Sequence, residues 1–317
     1  VDGGFKELIE KKSGSAAEIN FLLIVMLREV GIKAYPLLIS TVDNGLINMV
    51  FPSTNNLDFV IAAVEANGRY NLYDATSKYS SMNELPSRDW NSYGILQTEK
   101  GVEQLEMINT KTSSKYLTVD AKIDESGNVS GLYSDRNTGI YSMFAKELFY
   151  ENAEKYNKQY KENFAVDFTN IDSKALENGD FESTMKFSSE NLIDRVGKKL
   201  IINSILFLSK ISNDFDQTEE RKYPIEFISP YTQVKKIVIE IPEGYVIEEM
   251  PKNKKIVTDD KEIEYNYLVE QKGNKLEITS TTKVASANYQ KEYYPGFKQI
   301  WGVASKQENQ VISLVKK

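Results

Sequence analysis

Covalent catalysis needs a nucleophile and a group that deprotonates it, and the 317 residues contain no cysteine and no histidine. Thiol chemistry and imidazole base chemistry are therefore excluded. The ligand sets that usually hold zinc, copper or haem are excluded with them. An all-oxygen calcium or magnesium site stays chemically open, but Asp124-Glu125-Ser126-Gly127-Asn128 lacks the spacing of a calcium loop and reads as a hairpin turn. No cofactor or metal site is expected. Among hydroxyls, Ser15 draws notice because it precedes Glu18 by three residues at the head of an apolar run. That spacing is a capping box, in which serine and glutamate each bond the other's backbone N–H. A serine hydroxyl without a neighbouring base is a poor nucleophile, so Ser15 reads as a helix cap. No paired-carboxylate motif marks a glycan-cleaving site.

The element that Ser15 caps organises the first part of the chain. Ile19 to Val30 is apolar at most positions, which predicts a helix buried on nearly every side, and Gly31 supplies a left-handed stop. Arg28 and Glu29 make the run too short and too charged to span a bilayer. Phe5 to Lys12 leads in as a charged amphipathic segment. After the helix, Ala34 to Ser40 is strand-like, with Pro36 placing it near a sheet edge or at a strand start. The stretches 59–66 and 69–74 flank Asn67-Gly68, a strong hairpin signal.

These residues resemble the transglutaminase-like superfamily. Gly14-Ser15-Ala16-Ala17-Glu18-Ile19-Asn20, followed by Leu27-Arg28 and Gly31-Ile32-Lys33-Ala34, is similar to the helix that carries the family's cysteine. Residue by residue, the cysteine position is Ala16. Leu57-Asp58-Phe59-Val60-Ile61 resembles the strand of the family histidine, which puts Phe59 at that position. Leu72-Tyr73-Asp74-Ala75-Thr76 resembles the strand that ends in the family aspartate, which is Asp74 here. The resemblance thus implies a degenerate triad at Ala16, Phe59 and Asp74 with no catalytic residue left. Asp74, with no imidazole to orient, is expected to bond backbone or a nearby hydroxyl.

Residues 80–115 are polar, with Asn83-Glu84-Leu85-Pro86 resembling the family's exit loop, and the domain boundary is expected between about 95 and 112. Beyond it the pattern alternates with period two. Strands are expected at 116–123 and 129–133, then a helix over 141–161, strands at 165–170, 181–187, 199–208, 221–227, 235–241, 262–268 and 275–282, a helix over 298–307, and a last strand at 311–315. The Arg221-Lys222-Tyr223-Pro224-Ile225-Glu226-Phe227 segment, Ile241-Pro242-Glu243-Gly244-Tyr245, Met250-Pro251 and Tyr294-Pro295-Gly296-Phe297-Lys298 are similar to DUF3858, a domain of unknown function.

The expected fold is α+β: a papain-like transglutaminase core, made of a buried helix and an antiparallel sheet, over residues 1–95, then a β-rich, sandwich-like domain over 112–317, with a division near 215. The resemblance further implies an exported bacterial protein, periplasmic or at the cell surface, in which a DUF3857 domain precedes Val1. A net charge of -7 argues against nucleic acid and anionic lipid as partners. The partner classes that remain are protein, peptide and glycan, and no pattern sets an oligomeric state. The function expected is a noncatalytic scaffold or a protein- or peptide-binding module. The alternative is a glycan-directed enzyme or a carbohydrate-binding protein that uses carboxylates and tyrosines outside the degenerate triad. For that alternative Tyr289, Tyr293 and Tyr294 are the most exposed-looking aromatic group.

Overall fold

The computed structural model describes residues 4–47, 56–91, 93–209 and 215–317. The chain divides into two compact units, 1–111 and 112–317. The first is built from α1 (Gly4–Lys11), α2 (Ala16–Glu29), β1 (Ala34–Ile39), β2 (Phe59–Ala66), β3 (Arg69–Tyr73), β4 (Tyr93–Thr98) and β5 (Gly101–Glu106). Its strands form one antiparallel sheet in the order β3-β2-β1-β4-β5. Alternation along β1 and β2 sends Ala34 and Ala62 to the face that α2 covers through Ile24. Leu37, Ile39, Ile61 and Ala63 face the other way, into a second layer closed by Leu85, Leu96 and Met107.

The ends of α2 are fixed locally. The Ser15 hydroxyl accepts from the Glu18 N–H at 3.3 Å, and the Glu18 carboxylate accepts from the Ser15 N–H at 2.8 Å. At the other end Ile32 N–H donates to Leu27 O and Gly31 N–H to Arg28 O, both at 2.9 Å, with Gly31 at φ 80°. This is the Schellman stop. Ser15→Ala is expected to lower stability by about 0.5–2 kcal/mol, read from the denaturant midpoint.

The helix is less buried than its composition suggests. One sheet face can cover only one stripe of a helix. Asn20 and Ile24 are buried, whereas Met26 and Val30 are 59% and 72% exposed. Pro36 also lies elsewhere than expected, because β1 is the central strand. Glu65 N–H bonds Lys33 O, which in the β1–β2 register turns the Pro36 nitrogen away from β2. The ladder with β4 begins only at Leu37, so the missing N–H costs no ladder bond. The β4–β5 hairpin falls within the stretch read as polar. β5 is exposed along nearly its whole length and so carries no alternating apolar signal.

The second unit contains β6 (Ser113–Ile123), β7 (Val129–Asn137), α3 (Gly139–Glu151), α4 (Ala153–Asn163), β8 (Asp167–Ala175), β9 (Phe181–Ser189), β10 (Ile193–Val196) and β11 (Lys199–Asn203). It continues with β12 (Ile225–Glu226), β13 (Tyr231–Glu240), β14 (Tyr245–Glu249), β15 (Lys254–Val257), β16 (Ile263–Lys272), β17 (Lys275–Val284), β18 (Asn288–Tyr289), α5 (Tyr294–Glu308) and β19 (Val311–Lys316). An eight-stranded sheet runs β15-β16-β17-β13-β6-β7-β9-β8, and a four-stranded sheet runs β10-β11-β19-β14. Within the larger sheet β13 and β6 pair in parallel and the other neighbours are antiparallel. The protein is therefore α+β, with a helix-on-sheet part followed by a β-rich one.

A single core joins Val119, Tyr133, Ile237 and Tyr265 of the large sheet to Leu200 and Leu314 of the small one and to Phe297 of α5. Residues on both sides of position 215 share it. The turn at Asp124 to Asn128 links β6 to β7, and Asp124 accepts the Asn128 N–H at 2.9 Å. That bond is the first cause holding its carboxyl below the usual range. The helix expected over 141–161 is broken at Asn152, whose extended backbone ends α3 and whose side chain caps α4 through the Lys155 N–H at 2.9 Å. The strand expected over 199–208 stops at Asn203, where the side chain accepts the Ile205 N–H at 2.9 Å and starts a buried turn.

The core of this unit holds an ion pair. Lys235 Nζ, on β13, lies 2.6 Å from Glu308 Oε2 at the end of α5, and the two side chains are 5% and 2% exposed. Leu208 O takes a second Lys235 proton at 3.0 Å, and Ser280 Oγ donates to Glu308 Oε1 at 2.6 Å. Lys235 and Ser280 face each other across β13 and β17.

Candidate functional site

The three positions singled out in the sequence fall at one end of the first unit. Ala16 is the first residue of α2 and half-buried; Phe59 opens β2, half-buried against the second layer; Asp74 follows β3 and is 2% exposed. What ties them is Asn20, one helical turn beyond Ala16 and fully buried. Its Nδ2 donates to Val60 O at 2.9 Å and to Asp74 Oδ1 at 2.8 Å, while its Oδ1 accepts the Ala75 N–H at 2.8 Å. The helix start is thereby clamped to the strand pair that carries Phe59 and Asp74.

Asp74 has no imidazole to hold and is held by other donors instead. Thr76 gives its N–H at 2.9 Å and its hydroxyl at 2.7 Å to Oδ1. Arg88 Nη2 donates to Asp74 Oδ2 at 2.6 Å and to Thr76 Oγ1 at 2.7 Å. The same guanidinium lies over the Phe59 ring, with Cζ 5.1 Å from the centroid. Arg88 therefore stands between the aromatic ring and the carboxylate, bonded to one by charge-assisted hydrogen bonds and to the other by a cation–π contact.

Arg88 comes from a short 3-10 turn, Ser87–Asp89, that also brings in Asp89. The Asp89 side chain is fully buried, and neither carboxyl oxygen meets a donor of good geometry. Its neighbours are Arg88 Nε at 3.5 Å and the Asp74 carboxyl. Two carboxyls in contact need a proton on one of them. Desolvation first, then the Asp74 charge, pushes the Asp89 carboxyl up to about 8, with Arg88 opposing. Burial beside the Asp74 carboxyl therefore favours the neutral acid at Asp89. Both carboxyls are buried and neighbour the Arg88 guanidinium, unlike carboxylates set in an open glycosidase cleft.

The sequence singles out Ala16, Phe59 and Asp74 but not Asn20, Arg88 or Asp89. Asn20 carried a signal, since a lone amide in an apolar helical run must find partners or pay for desolvation. Arg88 and Asp89 carried none, being charged residues in a polar loop. The tyrosines expected at the surface are mostly interior. Tyr289 and Tyr294 are buried, and all three hydroxyls are bonded: Tyr289 accepts the Ser286 N–H at 2.8 Å, Tyr293 donates to Asp260 at 2.7 Å, and Tyr294 accepts the Gln217 N–H at 2.8 Å. Their rings pack around Phe297 and Phe215. Among the described residues no group of three acidic side chains could hold a metal ion, and no helix is long and apolar enough to cross a membrane.

Comparison with known proteins bears on the second unit. Residues 198–314, from β11 to β19, match the family described as Domain of Unknown Function with solved-structure structure (DUF3858). The chain carries a DUF3858 domain. Its large-sheet strands β6 to β9 and the helices α3 and α4 lie outside that match. The chain is also similar in structure to a protein from Parabacteroides distasonis described as a "putative protease", with a TM-score of 0.50 and 12% identity over 98% of this chain. The chain spans 46% of the length of that protein. At that identity the likeness is one of fold. No curated protein matches the chain.

Proposed function

We propose that residues 1–111 are a transglutaminase-like core that has lost its nucleophile and its base and now serves as a noncatalytic scaffold or peptide-binding module beside the DUF3858 domain. The exported, periplasmic or cell-surface setting and a DUF3857 partner domain belong to the same reading. The observation that carries it is Arg88. Its guanidinium joins Asp74 to the ring of Phe59 and satisfies the carboxylate that an imidazole would otherwise engage. A side chain that fills the gap and neutralises the acid turns a reactive constellation into a packed one. The likeness in fold to a protein described as a "putative protease" supports descent from a hydrolase-type scaffold without assigning activity to this chain.

Two measurements test the reading. Incubation with a fluorophosphonate and with a fluorescent peptide pool is expected to give no adduct on Ser15 and no turnover; an adduct there, or cleavage lost in Ser15→Ala, overturns the noncatalytic reading. The second is thiol labelling. In Ala16→Cys the introduced thiol is expected to alkylate with an ordinary cysteine pH profile, near 8.5. Adding Phe59→His alone should change it little, because Arg88 already occupies Asp74. Adding Arg88→Ala as well should move the profile to lower pH. If the triple variant labels like the single one, the three positions do not face one another and the family match fails.

A further inference from the structure

We propose that the cleft between the α3–α4 pair and the β6–β7–β13 surface of the second unit is a binding site for a neutral saccharide. The cleft measures about 350 Å³, within the usual range of small-molecule sites. It belongs to the second unit, whereas Ala16, Phe59 and Asp74 belong to the first, and it is built for the most part from strands and helices outside the DUF3858 match. Register explains how it forms. Lys115 lies opposite Asn137 and Leu117 opposite Asp135 in the β6–β7 ladder, and Gln233 lies beside Lys115 in the parallel β13–β6 ladder. Their side chains share one sheet face, and the break at Asn152 bends α4 across it.

The floor is polar, buried and already satisfied. Asp135 accepts from Asn137 Nδ2 at 2.9 Å and from the Tyr160 hydroxyl at 3.3 Å, and Lys115 Nζ lies 3.4 Å away. Tyr160 is joined to the Tyr156 hydroxyl at 3.2 Å. The carboxylate is thus matched by a cation of the protein itself. A charged ligand would have to break that pair or bring an unpaired charge into a half-closed cleft, and either is costly.

The rim is different, because its polar ends are open. The Tyr141 hydroxyl and the side-chain amides of Gln159 and Gln233 have no hydrogen-bond partner among the described residues, although all three side chains line the cleft. Burial alone pushes the Tyr141 hydroxyl up to about 12. Each of these groups can both donate and accept, which suits hydroxyls rather than ions. The rings divide in the same way. Tyr133, Tyr160 and Phe164 spend their faces and edges on one another. Half-buried Tyr141 and Phe144 line the mouth without a ring partner among the described residues, leaving apolar π-faces for the C–H face of a pyranose. An open ring platform, neutral two-way hydrogen bonders and an internally neutralised floor together select a small uncharged polyol ring.

The test is saturation-transfer NMR and calorimetry on the chain with maltose, cellobiose, lactose and N,N′-diacetylchitobiose, with choline chloride and sodium acetate as charged probes. At least one disaccharide is expected to bind saturably and to shift the Tyr141 and Phe144 ring protons. Tyr141→Ala and Gln233→Ala should each weaken that binding by about tenfold or more, and Gln233→Ala should do so while leaving the thermal midpoint unchanged. The ring-proton shifts in the unsubstituted protein decide the question even if a variant melts early. The proposal is overturned if none of these sugars binds, if binding shifts rings elsewhere or survives both substitutions, or if choline or acetate binds and the sugars do not.

Discussion

Glu308→Ala is expected to destabilise the second unit by about 3–5 kcal/mol, enough to abolish much of the stability of a typical domain. The side chain is 2% exposed and bonds both Lys235 Nζ and Ser280 Oγ at 2.6 Å. Truncation leaves an ammonium, itself 5% exposed, with Leu208 O as its remaining partner among the described residues. The loss is therefore mainly the penalty of an uncompensated buried charge, not the net worth of the pair. A double replacement separates the two. Lys235→Met with Glu308→Leu removes both charges at similar volume and should recover most or all of the loss. Urea unfolding followed by near-UV dichroism, with the slope compared between variants, reads both. A single variant that costs less than about 1 kcal/mol would mean that water reaches the pair.

Such a pair illustrates what the sequence could and could not convey. Lys235 falls within an alternating strand and Glu308 at the end of an amphipathic helix, where each alone reads as a solvated charge. Their meeting depends on contacts across 73 residues, which no local pattern encodes. Features written within a few residues were legible: the Ser15–Glu18 cap, the Gly31 stop, the hairpin at Asn67-Gly68, where both residues take positive φ, and the turn at Asp124. The β-rich second part was legible from its alternation. β5 was not, because an exposed strand has no apolar face to alternate. The all-apolar run in α2 overstated burial, since the sheet covers one stripe and leaves Met26 and Val30 out. At the candidate site the pattern singled out Ala16, Phe59 and Asp74, but the side chains bonded around them, Asn20, Arg88 and Asp89, owe their roles to packing.

Asp89 supplies the second large expected effect. Its carboxyl, ordinarily near 3.8, is pushed up to about 8 by burial and by Asp74. Between those values the native state holds one proton more than the unfolded chain, so unfolding free energy falls with rising pH, at a limiting slope of about 1.4 kcal/mol per pH unit. The contribution is whole below about 3.8, where both states are protonated, and is lost as pH passes through about 8. Carboxyls held below their usual range, such as Asp124 and Asp260, act in the opposite sense, but their effect is confined to acid near and below the ordinary carboxyl range. The window from about pH 5 to about pH 8 therefore belongs to Asp89. Asp89→Asn keeps the size of the side chain and removes the titration. The variant is expected to match the parent near pH 5, to stay level as pH rises, and to exceed the parent by several kcal/mol near pH 8. Guanidinium unfolding of both proteins at intervals across that window measures the difference directly. Parallel profiles would mean that Asp89 is ionised throughout and that Arg88 alone neutralises both carboxylates. In that case the neutral state assigned to Asp89, and with it the closed and inert character assigned to this end of the sheet, would have to be given up.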